Sequence, residues 1–243
     1  MRHLLFFFIS LTVIVLCSLI TSCKSVYHPN AVNTPLFNNA GEVRANVDPQ
    51  NVQLAYAVTD HAGVMLNGFY VKEKSDNNAI HGSGGLIEAG FGYYTRFRPF
   101  IFETYVGGGM GSVQFSELRT NDNNQTVRYT FDANGMRFFI QPSFGLGTRF
   151  FDVAVTPRFV MGKYNSVGTN YSVQDQIDGK FYQVDRPLWT FIEPALTVRA
   201  GYQWIKLQAQ FGISQKLNSE PLSYKDAFVN VGLSINLFRN YEQ

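Results

Sequence analysis

Residues 205–213 alternate between apolar and polar side chains without a fault. The apolar positions are Ile205, Leu207, Ala209, Phe211 and Ile213, and Lys206, Gln208, Gln210 and Gly212 lie between them. Residues 229–237 repeat the pattern. Because successive side chains of a β-strand point to opposite faces, both segments predict strands with one apolar and one polar face. Several such strands joined by polar loops are typical of a transmembrane β-barrel, which is apolar outside and polar inside.

Ten segments of this kind predict an all-β, antiparallel, up-and-down barrel of about ten strands within residues 42–243. They are 42–47, 52–58, 62–71, 85–97, 99–115, 127–148, 151–164, 188–202, 204–215 and 227–238. Connections after the even-numbered strands are short, and those after the third, fifth, seventh and ninth are longer and polar. Outer-membrane barrels have short periplasmic turns and longer outer loops. The short connection 48–51 is the exception, and counts of eight or twelve strands stay open.

The predicted lipid-facing positions hold no Asp, Glu, Lys or Arg, although 16% of the chain is charged. They are the odd-numbered residues of 43–47, 87–97, 151–161, 205–213 and 229–237, and the even-numbered residues of 52–58, 62–70, 100–110, 136–150 and 188–202. A Lys or Arg at the bilayer midplane costs about 2–4 kcal/mol, which explains the absence. Most soluble β-sandwiches carry charge on their outer faces and do not fit.

Two further patterns concern the strands. Aromatic residues cluster beside the short connections, which predicts a girdle at one membrane interface, unless Phe is simply abundant here. They are Phe97, Phe100, Phe150, Phe151, Tyr202, Trp204 and Phe238.

One predicted strand contains a glycine-rich segment, formed by Gly107, Gly108, Gly109 and Gly111. It is not followed by a helix or by Lys-Ser/Thr, so it does not form a phosphate-binding loop. We expect a kink or a bulge there, because the apolar positions become Val113 and Phe115.

The N-terminus predicts a targeting segment. Residues 4–16 are almost all apolar and are followed by Leu19-Ile20-Thr21-Ser22-Cys23, which resembles the lipobox of bacterial lipoproteins. We expect residues 1–22 to be a lipoprotein signal peptide and Cys23 to be lipidated. A plain signal peptide and a membrane anchor remain alternatives, although the apolar run is shorter than the ~20 residues of a spanning helix. Once residues 1–22 are removed, Cys23 is the only cysteine, which leaves no internal disulfide or cysteine metal site.

Residues 23–41 predict a lipidated tether, because they show no periodicity and contain Pro29 and Pro35. Fully extended, such a segment spans up to about 60 Å. An even number of strands returns the C-terminus to the side of the first strand. We therefore expect the lipid anchor and both termini on the periplasmic side of an outer membrane.

The C-terminal strand resembles the β-signal that the barrel-assembly machinery recognises. Its matching residues are Asn230, Gly232, Ile235, Leu237 and Phe238, although Arg239–Gln243 follow Phe238. The opening Tyr27-His28-Pro29-Asn30, Asn33-Thr34-Pro35-Leu36-Phe37 and Gly41-Glu42 resembles uncharacterised barrel-type lipoproteins of Gram-negative outer membranes. The resemblance implies location and fold, with outer-membrane lipid and the assembly machinery as partners. It implies no activity.

Several charged residues fall on the inward faces. We expect Glu88, Glu103, Arg158, Glu193 and Arg199 to form an interior charge network, because a narrow barrel is filled by side chains and its charges must be paired. The alternative is acid–base chemistry by the glutamates.

The predicted role is structural or interactive, with the outer loops, especially residues 165–187, as the contact surface for an unidentified partner. An enzyme acting on lipid or peptide, a narrow solute channel and a soluble lipocalin-type lipoprotein are the alternatives. Omptin proteases have this architecture but use an Asp–His pair, whereas only His28, His61 and His81 remain after processing, with Ser83 near His81. No metal-ligand spacing and no cofactor motif is present. The net charge of +2 without a basic run argues against nucleic acid.

Overall fold

The structure, a computed structural model, describes residues 24–74, 80–97, 99–120 and 124–238. The predicted signal peptide, residues 1–22, and Cys23 lie outside the described residues. The strands are β1 (Val43–Val47), β2 (Asn51–Ala57), β3 (Ala62–Lys74), β4 (Ile80–Phe97), β5 (Phe100–Thr120), β6 (Thr126–Gly147), β7 (Phe151–Thr169), β8 (Trp189–Tyr202), β9 (Ile205–Ile213), β10 (Gln215–Lys216) and β11 (Ala227–Leu237). One short helix, α1 (Val173–Asp178), lies between β7 and β8.

Ten of these strands close into an antiparallel barrel, as predicted. Strands β1 to β8 pair in chain order, β8 pairs with β9, β9 with β11, and β11 with β1. The two-residue strand β10 is extra and pairs with β8 at Phe191 and Ile192. Strand β9 ends at Ile213, but after Ser214 the chain continues along β8 as β10 in the same register, so the predicted ninth strand, 204–215, agrees with the observed course of the chain.

The two ends of the barrel differ. We call the end with the connections β3–β4, β5–β6, β7–β8 and β9–β11 the long-loop end, and the other the short-turn end. The turns at the short-turn end are 58–61, 98–99, 148–150 and 203–204. Strand β1 begins and β11 ends there, since Val43 pairs with Leu237. Strands β4 to β7 are the longest and form a tall wall on one side of the long-loop end.

The predicted inward and outward faces are confirmed in all ten barrel strands. On β9, for example, Leu207 is 57% exposed and its neighbour Gln208 only 2%. Charged side chains reappear on the outside only where the strands continue towards the long-loop end, beyond the charge-free positions. Within the described strands these outward charges include Lys72, Lys74, Arg128, Asp132 and Lys163.

The bulge predicted in β5 is wrong. β5 pairs with both neighbours without a register shift, and Val113 and Phe115 stay on its inward face. The irregularity lies instead between β6 and β7, where Asn134 pairs with Ser166 and Gly135 with Tyr164, so that Asn165 of β7 is the extra residue. The change from polar to apolar inward residues along β5 therefore reflects a change in what fills the interior. Near the long-loop end the filling is aromatic.

Residues 25–37 fill the interior of the barrel, and we call them the N-terminal plug. Its apolar side chains Val26, Ala31, Val32, Leu36 and Phe37 are each at most 2% exposed. The prediction of an extended tether is therefore wrong for these residues. A chain surrounded by wall on every side has no solvent-facing side, so its burial leaves no periodicity in the sequence.

The plug crosses the barrel from one end to the other. Lys24 lies at the long-loop end, where its Nζ is 2.6 Å from a carboxylate oxygen of Glu117. Ala40 lies at the short-turn end, where its backbone N–H donates to Asp60 Oδ1 at 3.0 Å. Lys24 and the end of β11 are thus at opposite ends of the barrel. The expectation that both ends of the chain lie on one side is not met by the described residues, because the plug crosses the lumen before β1 begins.

Candidate functional site

Two arginine–glutamate pairs surround one asparagine of the plug near the middle of the lumen. Arg137 Nε donates to Glu88 Oε1 at 2.7 Å, and Arg158 Nε donates to Glu193 Oε2 at 2.9 Å. Asn30 lies between the pairs. Its Nδ2 donates to Glu88 Oε2 at 2.7 Å, and its Oδ1 accepts from Arg158 Nη2 at 2.8 Å and from Arg137. All five residues are buried, so each charge has a partner in a place that water does not reach.

Tyr27 attaches the plug to the same cluster. Its hydroxyl donates to Glu193 Oε1 at 2.6 Å and accepts from Arg137 Nη1 at 3.1 Å. Its ring stacks on Phe191 of β8, with the centroids 4.0 Å apart. One plug residue therefore links both ion pairs to the aromatic part of the interior.

Amide side chains of the wall bind the backbone of the plug below this cluster. Gln210 Oε1 accepts from Val32 N at 2.7 Å, and its Nε2 donates to Val32 O at 2.9 Å. Gln141 Nε2 donates to Asn33 O at 2.6 Å, and the Asn33 side chain donates to Asn67 Oδ1 at 2.8 Å. A buried backbone group without a partner costs free energy, and these wall amides supply the partners that a neighbouring strand would provide.

Two of the predicted charges bind the lower part of the plug. Arg199 Nη2 donates to Thr34 O at 2.9 Å. Glu103 Oε2 accepts from Leu36 N at 2.9 Å. Leu36 has a φ of 52°, a conformation that leucine rarely adopts, and it is fully buried. The Glu103 carboxylate thus holds the backbone where the plug turns.

A third charged layer lies near the short-turn end. Arg44 Nη1 lies 3.2 Å from Asp152 Oδ2, and Lys206 Nζ lies 2.6 Å from Asp152 Oδ1. All three side chains are buried. One aspartate therefore links β1, β7 and β9 across the barrel.

The five residues of the predicted interior charge network are all buried, but only Arg158 and Glu193 pair with each other. Glu88 pairs with Arg137, which lay outside the predicted set. Glu103 and Arg199 hold the plug. Sequence reasoning missed the plug residues Tyr27, Asn30 and Asn33. One signal could have found them: residues 25–41 contain no Asp, Glu, Lys or Arg, which is unusual for a tether in water.

An aromatic cluster closes the long-loop end of the lumen. Phe181, from the connection after α1, contacts the rings of Phe115, Phe131 and Tyr171 at centroid distances of 5.2–5.3 Å. Phe115 and Phe131 stack at 4.6 Å. Because all four are buried, the connection between β7 and β8 folds inward as a cover over the wall.

Polar contacts hold this cover in place. Ser172 caps α1 by accepting from Asp175 N, and Arg119 of β5 donates to Asp175 Oδ1 at 2.6 Å. The Ser172 hydroxyl also donates to Asp175 Oδ2 at 2.6 Å, and this hydrogen bond, followed by the one from Arg119, lowers the pKa of the Asp175 carboxyl. Asp175 therefore stays ionised at neutral pH and ties α1 to the tall wall.

The histidine and serine residues considered for catalysis lie at three different places in the structure. His81 and Ser83 lie on β4 beside a surface groove that Lys72 and Asp132 also line. No hydrogen bond joins His81 to Ser83 in the described part of the chain. His61 lies at a short turn and contacts Tyr94 O at 3.2 Å, whereas His28 belongs to the plug.

The predicted assembly-signal residues lie in β11. Asn230 faces inward, Leu237 faces outward, and Phe238 follows the strand with its side chain 79% exposed. Gly232 lies where a Cβ atom would come within 2.3 Å of Val47 O, so only glycine fits beside β1. Ile235 pairs with Ala45 of β1. These residues therefore line the seam at which the last strand meets the first.

No protein-family model matches the chain, and no curated protein matches it either. Among residues 24–74, 80–97, 99–120 and 124–238, no helix is long and apolar enough to cross a membrane. The same residues contain no group of three or more His, Cys, Asp or Glu side chains placed to hold a metal ion.

Proposed function

We propose that the protein is an outer-membrane β-barrel lipoprotein with a structural or interaction role, whose lumen is closed by its own N-terminal plug. The observation that carries the proposal is the charge-free band on the outer surface of the barrel, to which all ten barrel strands contribute. It includes large exposed apolar side chains such as Phe91, Phe138 and Leu207. In water, an apolar surface of this size would cause the protein to aggregate, whereas in a bilayer it contacts the lipid chains.

The height of this surface supports the proposal. On β7 the outward side chains are uncharged from Phe151 to Met161, and Lys163 follows. On β3 they are uncharged up to Tyr70, and Lys72 follows. A tilted strand needs about 9–11 residues to cross a membrane, which these stretches supply. The aromatic residues predicted as a girdle are exposed at the short-turn end, where a membrane interface would lie.

The long-loop end is the proposed contact surface. Beyond the charge-free band, several apolar side chains of the connections point into solvent. They are Val173 and Ile177 of α1 with Tyr182 and Leu217. Exposed apolar groups gathered at one end of a molecule are typical of interaction sites. The filled lumen supports this role over that of a general solute channel.

Fractionation and gel migration test the membrane location. We expect the full-length protein in the outer-membrane fraction, with faster migration in detergent gels before boiling than after it. A closed barrel in detergent resists unfolding until it is heated. Release of the unlipidated Cys23→Ser protein into the soluble periplasmic fraction, without a heat-dependent shift, would favour the lipocalin-type alternative.

A further inference from the structure

The direction of the N-terminal plug determines where the chain that precedes it leaves the barrel. From Lys24 the chain runs past Ser223, whose carbonyl oxygen accepts from Val26 N at 2.8 Å at the long-loop end. It then passes the central ion pairs at Asn30. It ends at the short turns, where Arg96 Nη1 donates to Asn39 Oδ1 at 3.0 Å. The plug therefore runs opposite to β1, which starts at the short-turn end.

We infer that the N-terminal side of the mature chain emerges at the long-loop end, on the opposite face of the membrane from the short turns. This inference rests on the proposed membrane location, in which the long loops face outward. Lys24 is bonded directly to Cys23, and consecutive Cα atoms lie about 3.8 Å apart. An acyl group on Cys23 is then carried on the outer face, where the outer leaflet is the nearest lipid.

The contacts along the plug fix this direction. Asn30 lies between Glu88 and Arg158 at the height where both ion pairs meet. Lys24 pairs with Glu117 at the long-loop end, and the backbone N–H of Ala40 donates to Asp60 Oδ1 at the short-turn end. Withdrawal of the plug would leave the buried amides and charges of the wall without the partners described above, which costs about 1–3 kcal/mol for each unsatisfied group.

Cysteine labelling in intact cells tests the route. Full-length Lys24→Cys is treated with a membrane-impermeant maleimide before and after lysis. We expect labelling of intact cells, as for the long-loop control Glu220→Cys, whereas the short-turn control His61→Cys labels only after lysis. The wild type should not label, because the sulfur of a lipidated Cys23 is a thioether. A second variant carries an epitope between Lys24 and Ser25, and antibody should bind it on intact cells.

The outcomes separate the route from the membrane location. The inference is overturned if Glu220→Cys labels on intact cells while neither the Lys24→Cys label nor the epitope is detected there. If Glu220→Cys and His61→Cys label alike in intact cells, the barrel does not separate two compartments and the proposed function fails instead. Wild-type labelling of intact cells would disprove lipidation of Cys23 and still place that residue on the outer face, as inferred.

Discussion

At the scale of single residues, the interior is held together by charges that each have a partner. Arg158 donates to Glu193 and to Asn30, so it joins the wall to the plug. Burying an ion pair brings little net stability, because desolvation offsets the attraction. Breaking one is expensive, since the remaining charge stays in a dry place. The central cluster therefore fixes the position of the plug more than it adds stability.

Arg158→Leu should destabilise the folded barrel by about 3–5 kcal/mol, because Glu193 keeps its charge and loses its ionic partner. Reversible denaturant unfolding in lipid vesicles measures this free energy. The exposed control Arg128→Leu should change it little. The double variant Arg158→Leu/Glu193→Leu should cost less than the single one, and an equal or larger cost would mean that the pair is not an isolated unit.

Cys23→Ser should abolish incorporation of a fatty-acid analogue, because serine has no thiol to acylate. The variant should still insert as a barrel, since the wall and the seam lie within residues 42–243. Labelling equal to that of the wild type would end the lipoprotein proposal.

The inward positions of the strands could be predicted from the sequence because the side-chain period of a strand is two, and parity alone placed Glu88, Glu103, Arg158, Glu193 and Arg199 inside. Their partners could not. Glu88 faces Arg137 rather than Arg158 because of strand order, register and the insertion of Asn30. The residue pattern of a single strand contains no information about strand order, register or the position of Asn30.

At the scale of elements, the strands are defined by their outward faces. Where the outward face of a strand is apolar, its predicted and observed ends agree closely. For example, β3 begins at residue 62 and β7 at residue 151, as predicted. Beyond the charge-free band, β4, β5 and β7 run about five residues further than predicted, to Ile80, Thr120 and Thr169. There the outer face is polar and the interior aromatic, so the alternation fades although backbone pairing continues.

Leu233→Arg should destabilise the barrel by about 2–4 kcal/mol, because it places a charge on the outer face of β11 within the lipid band. Ser166→Arg is the matched control. It puts the same side chain on the exposed part of β7, near Lys163 and outside the band, and should be close to neutral. Equal stability of both variants in vesicles would show that residue 233 does not face lipid.

At the scale of the whole molecule, the plug turns a hollow barrel into a filled one. Its sequence suits burial: it lacks charge, and Pro29 and Pro35 remove two N–H donors that the lumen would have to satisfy. The plug was not predicted because it has no strand or helix period and its residues contact several different wall strands. The barrel, in contrast, follows from repeated local patterns.

Conductance in planar bilayers tests the central claim, that this segment closes the lumen of a membrane barrel. The wild type is compared with a variant lacking residues 24–37, in which Cys23 is joined to Asn38, and each preparation is first shown to be heat-modifiable. We predict that the wild type conducts little and that the variant shows stable, larger steps. Wide, steady conductance by the wild type, or equal conductance by both proteins, would contradict the account.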